Sequence, residues 1–293
     1  MIEPKEINKV ATANRVSDRQ IEKDYVLSWV LYAISKNKIL RSSLVFKGGT
    51  VLKKAYIEDY RFSEDLDFTL LDEKISNEQI RDEFNKLFAF IKEEANIEMQ
   101  IDEKKWTIHE TGSPQFYIDY VGSLKGNMGS RDLKIDITRG EVLETEVENK
   151  PIYRSYSDLE EDFSLQCYSL AEVLIEKMAA LMGRTEPRDL YDFWYLTEVE
   201  RIEVAEHSVP FHSKAERKKH EPKKFAEKVL SKEAAFKRDW DNKLASQIHD
   251  LPKYDDVFRE ASLLSQSRLN TASLLKTFSA NFFGSCFFLS ALL

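Results

Sequence analysis

The sequence predicts an α+β fold: an N-terminal lobe built on a mixed sheet flanked by helices, followed by a helical C-terminal lobe. Two capping boxes, Ser17–Gln20 and Ser76–Gln79, each open a segment whose apolar residues recur at helical spacing. Between Ile97 and Ile137 the apolar period falls to two, as in half-buried strands. From Leu159 the pattern is mostly helical, so the lobes are expected at residues 1–155 and 156–262, with an apolar tail over 263–293.

The elements follow in order. Ser17 caps a helix carrying Ile21, Tyr25, Leu27, Trp29, Leu31 and Tyr32 and ending near Lys36. Leu44–Phe46 reads as a short buried strand, Gly48 and Gly49 as a turn, and Val51–Tyr56 as the helix after it. Leu66–Leu71 is a second strand, entered through two aspartates. Ser76 starts a helix with Ile80, Phe84, Leu87, Phe88 and Ile91 on one face. Gln115–Val121 and Leu133–Ile137 alternate as strands, and the sheet is expected to end near Pro151. In the tail, Lys276 is the only charge between Arg268 and Leu293, but Ser, Asn and Gly dilute the run. That argues against a membrane anchor and leaves a packed terminal helix, a partner-binding segment or sequence with no function of its own.

Composition limits the function. With 293 residues, 42% of them hydrophobic, the chain can bury a sizeable core. A formal net charge of −8 excludes a protein that coats nucleic acid broadly, although a local basic patch remains possible. Cys167 and Cys286 form no C-x-x-C unit, which excludes a cysteine zinc site and a disulfide framework and fits a reducing cytosol. No apolar signal-like segment follows Met1, so no secretory signal is expected.

Asp65 and Asp67 stand two apart, so on an extended strand both side chains point to one face. Two crowded carboxylates repel unless a cation sits between them, and one or two divalent ions, Mg²⁺ or Mn²⁺, would serve. Upstream, Gly48, Gly49 and Thr50 offer backbone N–H groups at a helix start, which suits a polyphosphate. Ser63 and Thr50 are candidate hydroxyl donors to phosphate, and Lys47 and Arg61 would balance the acidic charge. A two-metal transfer site needs a further carboxylate. Asp136, alternating with apolar residues in Leu133–Ile137, is the preferred candidate, with Asp119 and Asp132 as rivals.

These motifs resemble the DNA polymerase-β-type nucleotidyltransferase superfamily. The strings Phe46–Thr50 and Arg61–Phe68 are similar to its AbiEii/AbiGii abortive-infection toxin branch. Ile21–Tyr25 upstream, and Ala171–Lys177 through Arg184 to Arg188–Asp192 downstream, match in the same order. The resemblance implies a nucleotidyltransferase-like N-terminal lobe, in which Lys177 contacts the nucleotide phosphates and Asp189 holds Lys177 or the nucleotide. It also implies a nucleoside triphosphate (NTP) donor, RNA (a tRNA 3′ end favoured) as acceptor, and a cognate antitoxin as partner. The run Lys214, Arg217, Lys218, Lys219, Lys223 and Lys224 is either a solvated face or an RNA-backbone contact. The expected activity is Mg²⁺-dependent transfer of a nucleoside monophosphate to an acceptor hydroxyl by a cytoplasmic toxin. A small-molecule nucleotidyltransferase of the antibiotic-modifying kind and a non-catalytic nucleotide- or partner-binding relative are the alternatives.

Overall fold

The computed structural model describes residues 1–265. Contacts divide the chain into two units. The first holds Met1–Val173 and Leu244–Leu251; the second holds Leu174–Lys243 and the described residues from Pro252.

The first unit opens with α1 (Pro4–Asn14), α2 (Asp18–Lys36) and α3 (Lys38–Ser43). Ser17 accepts from the Gln20 amide at the start of α2, as its capping box predicts. Asn37 caps α3 through the Ile39 and Leu40 amides. Helix α2 is buried on nearly every side, which its run Tyr25–Leu31 requires. Strand β1 (Leu44–Lys47) passes without a loop into α4 (Gly48–Val51), which widens into a π-turn at Leu52–Tyr56. β2 (Asp65–Leu70) and α5 (Asn77–Ala95) follow, the latter capped by Ser76 on the Gln79 amide. Then come β3 (Glu98–Ile101), β4 (Thr107–Ile108), β5 (Pro114–Val121), β6 (Asp132–Thr138), β7 (Val147–Pro151) and β8 (Ser164–Tyr168).

All eight strands among the described residues join one sheet of order β3-β5-β6-β2-β1-β8-β7, with β4 on β5. β2 runs parallel to β6 and β1 parallel to β8; every other pairing is antiparallel. The sheet is therefore mixed, as predicted. Its inner face carries Phe46 and Phe68, with ring centroids 5.6 Å apart, and Leu66, Ile135 and Ile137, all buried.

One expectation is corrected. The sheet does not end near Pro151, because β8 returns beside β1 with Leu165 and Cys167 turned inward. By contacts, the first unit runs to Val173 and includes Leu244–Leu251. Five residues hold too few alternations for β8 to stand out from the helical pattern around it.

The second unit contains α6 (Leu170–Gly183) from Leu174 onward, then α7 (Pro187–Trp194), α8 (Ser208–Arg217), α9 (Phe225–Leu230) and α10 (Glu233–Leu244) as far as Lys243. Residues 254–265 form its last described helix. Pro187 occupies the first turn of α7, where its missing N–H costs nothing. The apolar tail expected over 263–293 lies, beyond residue 265, outside the described residues. No helix among the described residues is long and apolar enough to cross a membrane.

Candidate active site

The site is built from β1, β2 and β6. Strand register places Lys47 opposite Asp67, Asp67 opposite Asp136, and Asp136 opposite Gln115, forming one row across four strands. Asp65 lies two residues along, on the same face as Asp67 and opposite Lys134. The intervening Leu66 and Phe68 are buried, so the acids occupy the open side of a half-buried sheet. Asp136 is thus the neighbour of Asp67. Its rival Asp119 sits on β5, with no pairing to β2, and Asp132 is four residues back and ion-paired to Lys105 at 2.7 Å.

Positive charge is interleaved with these acids. Lys134 Nζ lies 3.4 Å from Asp136 Oδ2. Lys47 Nζ donates to Thr138 Oγ1 at 2.9 Å and stands 3.8 Å from Glu141 Oε2. Lys47 thus lies opposite Asp67 and near Glu141 on this face. Lys134 was not singled out in the sequence, although period two puts it on the face of Asp136.

The glycine helix meets the acids at close range. Gly48 has φ +80°, and a Cβ built there would lie 2.3 Å from Asp67 Oδ2. Only a residue without a side chain brings the backbone this near the carboxylate. Gly49 is buried in the same helix. Thr50 donates its hydroxyl to the Asp65 carbonyl at 2.6 Å. The bond offered by Thr50 therefore fastens the glycine helix to the start of β2, where a phosphate donor was expected. Arg61 is buried and donates from Nη1 to the Phe62 carbonyl and to Gln247 Oε1 at 3.2 and 3.0 Å. Ser63 is buried, and its carbonyl accepts from Gln20 Nε2 at 3.4 Å.

In the second unit, Lys177 Nζ lies 2.9 Å from Asp189 Oδ1 and 2.7 Å from Asp192 Oδ2, and all three residues are buried. Arg184 adds bonds from Nε and Nη2 to Asp189 at 2.7 and 3.0 Å. Burial alone would raise the Asp189 pKa, but Lys177 and Arg184 together hold it below the ordinary aspartate value. Lys177 and Asp189 are thus in direct contact within the second unit. The basic run divides: Lys214 is 1% exposed and faces inward from α8, whereas Arg217, Lys218, Lys219, Lys223 and Lys224 are exposed. Lys214 is withdrawn from the candidate RNA contacts, because its position on α8 falls on the apolar face with Phe211 and Ala215.

A family model described as "Nucleotidyl transferase AbiEii toxin, Type IV TA system" matches residues 29–261. The chain belongs to this family. It is a nucleotidyltransferase of the toxin kind. Among solved structures it is similar to JHP933 from Helicobacter pylori, at 16% identity and TM-score 0.57, over 92% of this chain and 99% of that one. It is also similar to MenT4, a nucleotidyltransferase toxin from Mycobacterium tuberculosis, at 15% identity and TM-score 0.60, over 91% and 90% of the two chains. At such identities the likeness is one of fold. No curated protein matches the sequence. The family match includes the glycine helix, the acids, Lys177 and Asp189, and it begins after Ile21–Tyr25.

For an AbiEii-family nucleotidyltransferase, the donor set of Asp65, Asp67 and Asp136 is all oxygen, which fits a hard divalent cation. Gly48 keeps open the space beside Asp67 that a side chain would fill. Among the described residues, no group of three or more His, Cys, Asp or Glu side chains is arranged so as to hold a metal ion. The acids suit a hard cation in donor type and share one face of the sheet.

Proposed function

We propose that this nucleotidyltransferase moves a nucleoside monophosphate from an NTP to a hydroxyl of RNA, with a tRNA 3′ end favoured, in the cytoplasm and under the restraint of a cognate antitoxin. The observation that carries the reading is the row Lys47–Asp67–Asp136, with Asp65 beside it and Gly48 against Asp67. When bound, Mg²⁺ or Mn²⁺ supplies charge at the phosphates and acidifies the attacking hydroxyl; Asp65, Asp67 and Asp136 would hold it. Lys47 and Lys134 offset the repulsion among the carboxylates. The backbone amides from Gly48 to Thr50 would face the triphosphate, where charge develops as pyrophosphate leaves. Lys177 and Asp189 remain in the reading as nucleotide-handling residues because they match the family motif. RNA is favoured as acceptor by that membership and by the exposed cations Arg217 to Lys224.

The test is incubation of the protein with each α-labelled NTP, Mg²⁺ and either total cellular RNA or a pool of small hydroxyl-bearing metabolites. Label in RNA, concentrated in tRNA, is the expected result. Label confined to small molecules would move the protein to the small-molecule class, and label in neither would remove the acceptor assignment.

A further inference from the structure

The segment Ile21–Tyr25 supplies no group to the reaction above, yet Glu22 and Asp24 within it are buried acids. Around it, a single stretch of α2 reaches several parts of the first unit. Gln20 Nε2 donates to the Ser63 carbonyl, just ahead of the site acids, at 3.4 Å. Glu22 accepts from the Leu124 amide at 2.6 Å and pairs with Arg131. Lys23 Nζ lies 3.8 Å from Glu64 Oε2. Asp24 Oδ2 accepts from Lys54 Nζ at 2.6 Å, and both residues are 1% exposed.

Lys54 belongs to the π-turn Leu52–Tyr56 that continues the glycine helix. Its ammonium also donates to Ser28 Oγ at 2.9 Å, and the Tyr156 hydroxyl donates to Asp24 Oδ2 at 2.7 Å. The π-turn sets Lys53 beside Lys54. Lys53 Nζ donates to the Glu58 and Tyr60 carbonyls at 3.1 and 3.0 Å and so holds the loop leading to β2. One widened turn thus grips α2 with one lysine and the acid-strand loop with the other.

Resting on the nucleotidyl-transfer reading, we propose that the buried Asp24–Lys54 pair is a positioning device, which fixes the π-turn and thereby the Gly48–Val51 helix against the Asp67 carboxylate. Stability alone is a poor reason for such a pair, since desolvation of two charges offsets most of their attraction and apolar residues of equal volume pack as well. Asp24 Oδ1 is moreover buried without a hydrogen-bond partner, a cost that a purely stabilising arrangement would not keep. Direction is what the pair provides, because the ammonium has a narrow set of placements that satisfy Asp24 and Ser28 together. That direction matters at Gly48, where the 2.3 Å between a built Cβ and Asp67 Oδ2 means that a small shift of the helix alters the space at the acids.

The test compares wild type with a double variant, Asp24→Asn with Lys54→Met, and with Ser28→Ala and Tyr156→Phe singly. Hydrogen exchange is followed over residues 48–56, and NTP KM and kcat are measured with Mg²⁺ and RNA. In the folded double variant, amides of residues 48–56 are expected to exchange about tenfold faster, with β5 and β6 unchanged. The NTP KM is expected to rise about fivefold or more, whereas a merely destabilised enzyme loses active fraction and so lowers kcat at constant KM. Wild-type exchange or wild-type KM in the folded double variant overturns the proposal. Should the double variant fail to fold, the two single hydroxyl deletions decide: smaller shifts in both quantities support the proposal, and wild-type values in both overturn it. A wild type that transfers no nucleotide from any NTP would remove the nucleotidyl-transfer reading instead. The exchange data would still decide whether the pair holds the helix.

Discussion

Gly48 leaves no room for a side chain: it combines a left-handed φ with a built Cβ 2.3 Å from Asp67 Oδ2. Gly48→Ala is therefore expected to cost about 1 kcal/mol or more from backbone strain alone, and to lose transfer because the methyl displaces a site acid. Thermal unfolding and the labelled-NTP assay would show both losses; a variant with wild-type Tm and rate would contradict the close approach. Asp65→Asn should behave differently. It is expected to keep the fold, because neutralising one of several crowded acids relieves repulsion, and to lower the rate by about 100-fold or more as a metal donor is lost. Full activity, or an unfolded protein by circular dichroism, would contradict that assignment. At this scale the acids were legible, because period two alone puts Asp65 and Asp67 on one face. The use of Thr50 was not, since its hydroxyl partner, the Asp65 carbonyl, comes into reach only after β2 folds back beside β1.

The elements differ in how far the sequence disclosed them. Ser17 and Ser76 cap α2 and α5 through local bonds, so their positions could be read directly. β8 depends on pairing with a strand more than a hundred residues earlier, and local pattern carries little of that. The helix pair α6–α7 gives the clearest test of an element. Lys177, held by Asp189 and Asp192, keeps two buried carboxylates compensated. Lys177→Met is expected to destabilise the protein by about 3–5 kcal/mol, the usual result of leaving buried charge unpaired. A variant with wild-type Tm but a raised NTP KM would instead favour a role confined to the nucleotide. Acidification tests the same cluster. The folded Asp189 pKa is depressed, so its contribution is fully present above the ordinary value of 3.8 and is lost as pH falls through the folded pKa. Stability should decline below about pH 4, and Asp189→Asn should flatten that decline; parallel curves for the two proteins would contradict the assigned depression.

For the whole molecule, a net charge of −8 makes any RNA contact a matter of local clustering. Arg217, Lys218, Lys219 and Lys223 are exposed, and Lys214 is buried among them. Burial of one lysine in such a run is invisible to composition, and it emerges only from the helical face that Phe211 and Ala215 share with it. Changing Arg217, Lys218, Lys219 and Lys223 together to Gln should raise the RNA KM and flatten its salt dependence, each phosphate contact contributing roughly 0.7–0.9 of a unit of log–log slope. Unchanged KM and slope would return the run to a solvated face. The central claim, that the Asp67–Asp136 row performs nucleotidyl transfer, is tested most directly by following pyrophosphate release and nucleotide incorporation together in wild type and a folded Asp67→Asn variant. Equimolar pyrophosphate and incorporated nucleotide in wild type, with both lost in the variant, is the expected result. Undiminished equimolar transfer by the folded variant would contradict it.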